Sequence, residues 1–178
     1  RRIRGTSPRF RKLAASNSMM NRWAIMLTAA VLVGDSVTKL FMKVYLIDVG
    51  HKVPVTSFFD LTLGYNRGIS FGLFSSNSDF APYILATTAL LVAFGLTVWL
   101  WRNESLVQKF GLAATVGGAI GNAIDRLQDG AVTDFLDFYV GAYHWPAFNL
   151  ADIAIACGVG ALLIESLRER PRTQTSNG

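Results

Sequence analysis

Residues 82–101 read PYILATTALLVAFGLTVWLW, a run of 20 residues without Asp, Glu, Lys or Arg that closes on a pair of tryptophans. A helix rises about 1.5 Å per residue, so this run matches the roughly 30 Å hydrocarbon core of a bilayer. Tryptophan favours the interface where that core ends. The run predicts a membrane span and sets the class of the chain, an all-α membrane protein. Upstream of it, an earlier apolar run starts at Trp23, is clean only to Gly34, and resumes past Asp35 and Lys39 to Leu46. It resembles a signal-peptide core at first, but no small-x-small cleavage site comes after it, and a span over about 22–46 fits better. Asp35 and Lys39 stand at i and i+4, share a helix face and partly neutralise each other. After a short polar turn at 102–108, a third span is expected over about 109–126 and a fourth over about 149–167. Gly117, Gly118 and Gly121 in the third allow close approach of a neighbouring helix.

Between the first two spans the texture changes. Val53, Val55, Phe58, Phe59, Leu61, Leu63 and Tyr65 are β-prone and partly alternating, broken by Pro54 and glycines. Residues 47–79 therefore predict short strands in a small extramembrane sheet. Residues 127–148 are expected as a second loop. The expectation is thus four transmembrane helices with a small β-sheet on the outer side. Residues 1–21 form a basic, disordered cytoplasmic tail, 22–168 the single domain, and 169–178 a second cytoplasmic tail. The start without Met and the Met19-Met20 pair mark part of that first tail as an added or misassigned start.

Composition supports this class. Of 178 residues, 51% are hydrophobic and only 16% charged, against roughly a quarter charged in globular proteins. The net charge of +5 raises nucleic acid as a partner, and the placement of the charges excludes it. Seven of the 17 Lys and Arg lie at or before Arg22, and Arg168, Arg170 and Arg172 lie in the last segment. They flank apolar runs and form no stripe interleaved with aromatics. With an even number of spans, the termini and the turn holding Arg102 and Lys109 share one side. The opposite loops hold only Lys43, Lys52 and Arg67. The bias places both termini in the cytoplasm, with the longer loops outside. Cys157, the only cysteine, excludes an internal disulfide and a multi-cysteine metal site, and reads as a small buried packing residue.

Ionisable residues at membrane depth are costly, which makes each a functional candidate. Asp35 and Lys39, then Asn122, Asp125 and Arg126, then Asn149 and Asp152 all fall near the outer boundary, with Asp134 in the outer loop between. Each group also has a plain structural explanation. Asn149 with Asp152 three residues on is a helix N-cap with an acidic N3 residue. Asp125-Arg126 is an ordinary polar helix end, Asp134 the polar side of a strand, and Asp35–Lys39 a pair that sets bundle register. Their convergence favours one polar pocket. Two carboxylates brought together there cannot both ionise easily, so one keeps a proton while the other takes one from water. That is aspartic-protease chemistry. On this reasoning Asp35, Asp125, Asp134 and Asp152 are all candidates, and none is singled out.

Five segments narrow the choice. Asp35-x-x-Thr38-Lys39, Asn66-Arg67-Gly68-Ile69-Ser70-Phe71, Gly117 to Arg126 (GGAIGNAIDR), Val132-Thr133-Asp134-Phe135 and Pro146 to Asp152 (PAFNLAD) resemble, in order, those of lipoprotein signal peptidase (signal peptidase II). The resemblance covers residues 22–168. It implies an aspartic endopeptidase that cleaves just before the diacylglyceryl-modified cysteine of prolipoprotein substrates. It implies that Asp134 and Asp152 are the catalytic pair, with Asn122, Asp125 and Arg126 positioning the pair and substrate. Asn66, Gly68, Asn149 and Ala151 are then substrate or supporting contacts, and Asp35 and Lys39 further support. It implies no metal or other cofactor, the lipid bilayer of a bacterial inner membrane as surroundings with the sheet and site near its periplasmic face, and a monomer. Ser36 stands where that family commonly has Gln. Asp137, three residues after Asp134, is expected as a solvated loop charge. The rival readings are a Ser36–Lys39 dyad, a transporter with a polar track through both membrane halves, and a structural scaffold.

Overall fold

The computed structural model describes residues 8–68, 80–103 and 105–168. In chain order it has helix α1 (Pro8–Asp48), strands β1 (Lys52–Pro54) and β2 (Phe59–Asn66), helices α2 (Ala81–Arg102) and α3 (Leu106–Asp129), strands β3 (Val132–Val140) and β4 (Tyr143–His144), and helix α4 (Leu150–Arg168). The segment 169–178 and the end of the Asn66–Phe71 motif, from residue 69, lie outside the described residues.

Helix α1 begins well before the expected residue 22, so residues 8–21 are helical and not a disordered tail. Proline suits a first helical position, and no further proline or glycine interrupts the chain before Gly34. The membrane candidate within it is Met19–Asp48. Its polarity is inverted relative to a protein in water: Leu40 and Phe41 are 66% and 63% exposed, whereas Asp35 and Lys39 are 1% and 3% exposed. Only a lipid surrounding makes that arrangement favourable, since apolar groups then face hydrocarbon and the charges face protein.

Among the described residues three helices are long and apolar enough to cross a membrane, namely Met19–Asp48 of α1, α2 and α4. Helix α3 spans 24 residues but is less apolar, because glycines and the polar residues Lys109, Asn122, Asp125 and Arg126 dilute it. It occupies the middle, packed against α1, α2 and α4. A Cβ on Gly117 would lie 2.9 Å from Thr28 O of α1, and one on Gly118 would collide with Ala151 O of α4. These glycines set how closely the helices pack, as their spacing predicts. At the other end Ala24, Leu100, Leu112 and Ala113 form an apolar core with Leu27, Leu96 and Leu162.

Helix α3 starts three residues before expectation, where Ser105 accepts from Gln108 N–H as its N-cap. It ends later too, at Gly130 with φ 71°, the left-handed conformation that suits glycine at a helix end. The expected 127–148 loop is also corrected: within it, VTDFLDFYV is strand β3. The sheet is antiparallel in the order β1-β2-β3-β4, with Leu61 opposite Leu136, Gly64 opposite Asp134, and a bulge between those pairs. Alternation puts Asp134, Leu136 and Phe138 on one face and Thr133, Asp137 and Tyr139 on the other. On the first face Phe59, Phe138 and Phe148 stack at centroid distances of 4.7 and 5.8 Å.

Two single-residue expectations fail. Asp137 is buried, across the strand pair from Asp60, and its carboxylate accepts from His144 Nδ1 at 2.9 Å. Lys52 meets Asp60 at 2.8 Å, so the two facing carboxylates each have a basic partner. Cys157 is exposed, on the outward side of α4, because Gly158 and Ala151 supply the contacts to α3. In lipid a small apolar thiol is at home on that surface.

Candidate active site

The site forms where the upper halves of α1 and α3, the start of α4 and the strand β3 meet. Gly121 makes room for it: a Cβ there would stand 2.6 Å from Asp35 Oδ2. Asp35 is thus pressed between helices, with Oδ1 accepting the Ala151 backbone N–H at 2.9 Å and Oδ2 accepting from Lys39 Nζ at 2.7 Å. Ala151 therefore contributes its main chain, not its side chain. The Lys39 ammonium also donates to Asn122 Oδ1 and meets Asp125 Oδ2, both at 3.0 Å. Asp125 Oδ2 in turn accepts the backbone N–H of Thr133 at 3.1 Å, which ties the start of β3 to the end of α3.

Helix α4 opens with a reciprocal cap. Asn149 Oδ1 accepts the Asp152 N–H and Asp152 Oδ2 accepts the Asn149 N–H, each at 3.1 Å. The capping role anticipated from the three-residue spacing is present. It does not use up either side chain. Asn149 Nδ2 donates to Asp134 Oδ1 at 2.7 Å and to Asn122 Oδ1 at 3.2 Å, and Asn122 Nδ2 donates to Asp152 Oδ1 at 2.8 Å. Asp134 and Asp152 are therefore joined through two amide side chains, with Asn149 and Asn122 between them. Burial pushes the Asp134 carboxyl up to about 6. The amide of Asn149 opposes that shift, the charge of Asp152 adds to it, and the Asn66 amide and Lys39 cation hold it back.

Asn66 ends β2 and reaches this carboxyl while its Oδ1 accepts the Gly68 N–H at 2.8 Å. Gly68 has φ 82°, the left-handed conformation that favours glycine, and it packs close to the Leu85 side chain of α2. Arg126 donates from Nη1 to Asn122 O at 3.3 Å, and Asp152, Asp134 and Asp125 surround its charge. Its Nε is buried and has no partner among the described residues.

All eleven residues expected at the site thus lie in one connected region. Two contributions were not foreseen. The Thr133 amide is a main-chain donor and leaves no side-chain signal. The ion pair of Lys43 with Asp129 at 2.5 Å lies one turn above Lys39 and Asp125, and its signal was the repeated four-residue spacing on both helices. Ser36 is not part of the site: it is exposed, and its hydroxyl donates to Leu32 O at 2.9 Å. No group of three or more His, Cys, Asp or Glu that could hold a metal occurs among the described residues.

Apolar helices around a buried network of paired carboxylates, amides and cations define a membrane enzyme, and comparison with known proteins agrees. Two solved structures, each described as a bacterial membrane enzyme, match with TM-scores of 0.68 and 0.67 at 25% and 26% identity, covering 87% and 83% of this chain and 93% and 94% of theirs. The profile of the family described as signal peptidase (SPase) II matches residues 27–168. The lipoprotein signal peptidase of Nitrobacter hamburgensis is 42% identical over 156 residues, which is 84% of this chain and 94% of that protein. That of Francisella tularensis subsp. novicida is 41% identical over 144 residues, 79% and 89% of the two chains. The chain belongs to the signal peptidase II family of proteases.

Proposed function

We propose that the protein is an intramembrane aspartyl endopeptidase that removes the signal peptide from prolipoproteins, cutting just before the diacylglyceryl-modified cysteine. The names of the family and of its relatives, signal peptidase II and lipoprotein signal peptidase, support a lipoprotein precursor as the substrate. The observation that carries the aspartyl chemistry is the buried link from Asp134 through Asn149 and Asn122 to Asp152.

In this reading one proton is shared between Asp134 and Asp152. The ionised member takes a proton from a water, and that water attacks the scissile carbonyl. The protonated member hydrogen-bonds the carbonyl oxygen and stabilises the charge that develops there. The tetrahedral intermediate collapses as the leaving amine receives the proton first taken from water. The reaction needs neither a metal nor a covalent intermediate. Helix α3 crosses the bilayer with the other three, both termini lie in the cytoplasm, and the site opens near the outer face of the inner membrane. The lipidated substrate enters sideways from the bilayer, its acyl chains among the spans, and the sheet forms a platform at headgroup level. The enzyme acts as a monomer.

Two rivals lose ground on particular contacts. A Ser36–Lys39 dyad has its hydroxyl on the outer surface and its amine committed to Asp35, Asn122 and Asp125. A transport path would continue the polar track, but Ala24, Leu100, Leu112 and Ala113 close the other half with apolar packing.

The reading is tested by incubating the purified protein with a prolipoprotein, with and without the diacylglyceryl group, and locating the cut by mass spectrometry. Cleavage before the modified cysteine, far slower without the lipid, is expected. No cleavage of either form, or equal cleavage of both, overturns it.

A further inference from the structure

Two side-chain amides separate the carboxylates, and their orientations are fixed by groups that can only donate. The Asp152 N–H donates to Asn149 Oδ1, which leaves Asn149 Nδ2 for Asp134 Oδ1 and Asn122 Oδ1. The Lys39 ammonium, with three donors and no acceptor, approaches Asn122 at 3.0 Å, so the atom it meets must be oxygen. Asn122 Nδ2 is then the atom that faces Asp152 Oδ1 at 2.8 Å. Turned over, Asn122 would set an NH2 against Lys39 and lone pairs against a carboxylate. Each buried group would then be left unpaired, at the full cost of its lost hydration.

We propose that Lys39 is a positioning residue for the reaction: its ammonium locks the Asn122 amide, which holds Asp152 directly and Asp134 through Asn149. The inference rests on the peptidase reading above. Lys39 itself is only 3% exposed, so it acts through Asn122 and not on substrate. The charged groups around it are Asp35 on its own helix, Asp125 and Arg126 on α3, Asp134 on β3 and Asp152 on α4. Without Lys39, Arg126 is left to face those carboxyls. The lysine cation favours ionised Asp134, so its loss makes the first ionisation of the pair harder.

The test is prolipoprotein cleavage by the full chain, comparing wild type, Lys39→Met, Asn122→Ala and the double substitution across pH, with Asp134→Asn as an inactive control. Lys39→Met is expected to lower kcat by about 10²-fold, the scale of a misplacement near 1 Å. Its acid limb should move to higher pH, and Lys39→Arg should restore part of the rate. The double variant should be no slower than the worse single one. If Lys39→Met does not fold, Lys39→Gln with Asp125→Asn removes one charge of each sign, and the same kcat loss is expected with a smaller limb shift, because the lost Asp125 charge opposes the lost lysine charge. Multiplying losses, or a rate lowered equally at every pH, overturns the positioning role while the peptidase reading stands. An active Asp134→Asn, or an inert wild type, overturns both.

Discussion

Asp134 and Asp152 face different surroundings although they share two amides. Asp152 lies in the first turn of α4, with a backbone N–H on one oxygen and the Asn122 amide on the other. Asp134 is 3% exposed on a strand and relies on side-chain amides, which offset only part of its lost hydration. Its carboxyl is raised from 3.8 to about 6. Between those values the folded chain holds a proton that the unfolded chain has lost, so stability falls as pH rises through the window and then levels off. Asp134→Asn removes that slope. By thermal unfolding, the variant should match the wild type near pH 4 and exceed it by about 3 kcal/mol near pH 7. A difference that does not change with pH would contradict this. At this scale the sequence was informative: Asp134, Asp152, Asn149 and the Asp35–Lys39 pair are side chains whose type and spacing announce them. The Thr133 and Ala151 contributions are main-chain N–H groups, which every residue but proline carries, so composition cannot mark them. Asp137 misled because its partner His144 is reached only when β3 and β4 pair.

The helices owe their spacing to α3. A methyl on Gly118 would run into the Ala151 carbonyl, whereas one on Gly95 of α2 would meet nothing within 4 Å. Gly118→Ala should therefore destabilise by about 1–3 kcal/mol and lower cleavage by moving α4 with its Asp152. Gly95→Ala should be neutral or slightly stabilising, since it only improves helix propensity. Unfolding midpoints and cleavage rates of the two variants check this, and similar behaviour would contradict it. The glycine spacing of α3 was legible because backbone contact requires small residues. The strand β3 was legible only as one structural reading of Asp134, because its pairing partner β2 lies about seventy residues earlier and its two faces carry Asp134 and Asp137 among aromatics. The early start of α1 was hidden by charge: basic residues that suggest a tail are also good helix formers.

For the molecule as a whole, the proposed orientation rests on the distribution of charge, and the membrane environment on the inverted polarity of α1. The β3–β4 turn should face outward, and Cys157 should face lipid. In intact cells, a membrane-impermeant maleimide should label Ala142→Cys and leave Cys157 unlabelled. Labelling of residue 142 only after the membrane is opened would reverse the proposed topology. Four spans were expected from apolar runs, and three of the helices meet that criterion outright. The other, α3, falls short of it and packs against α1, α2 and α4. The central claim is that Asp134 and Asp152 together perform the hydrolysis. Its most direct test is cleavage of diacylglyceryl-modified prolipoprotein by Asp134→Asn and by Asp152→Asn, each checked for folding. Asparagine keeps the size and can neither take nor share the proton, so both folded variants should lose nearly all activity. Substantial cleavage by either would contradict the account.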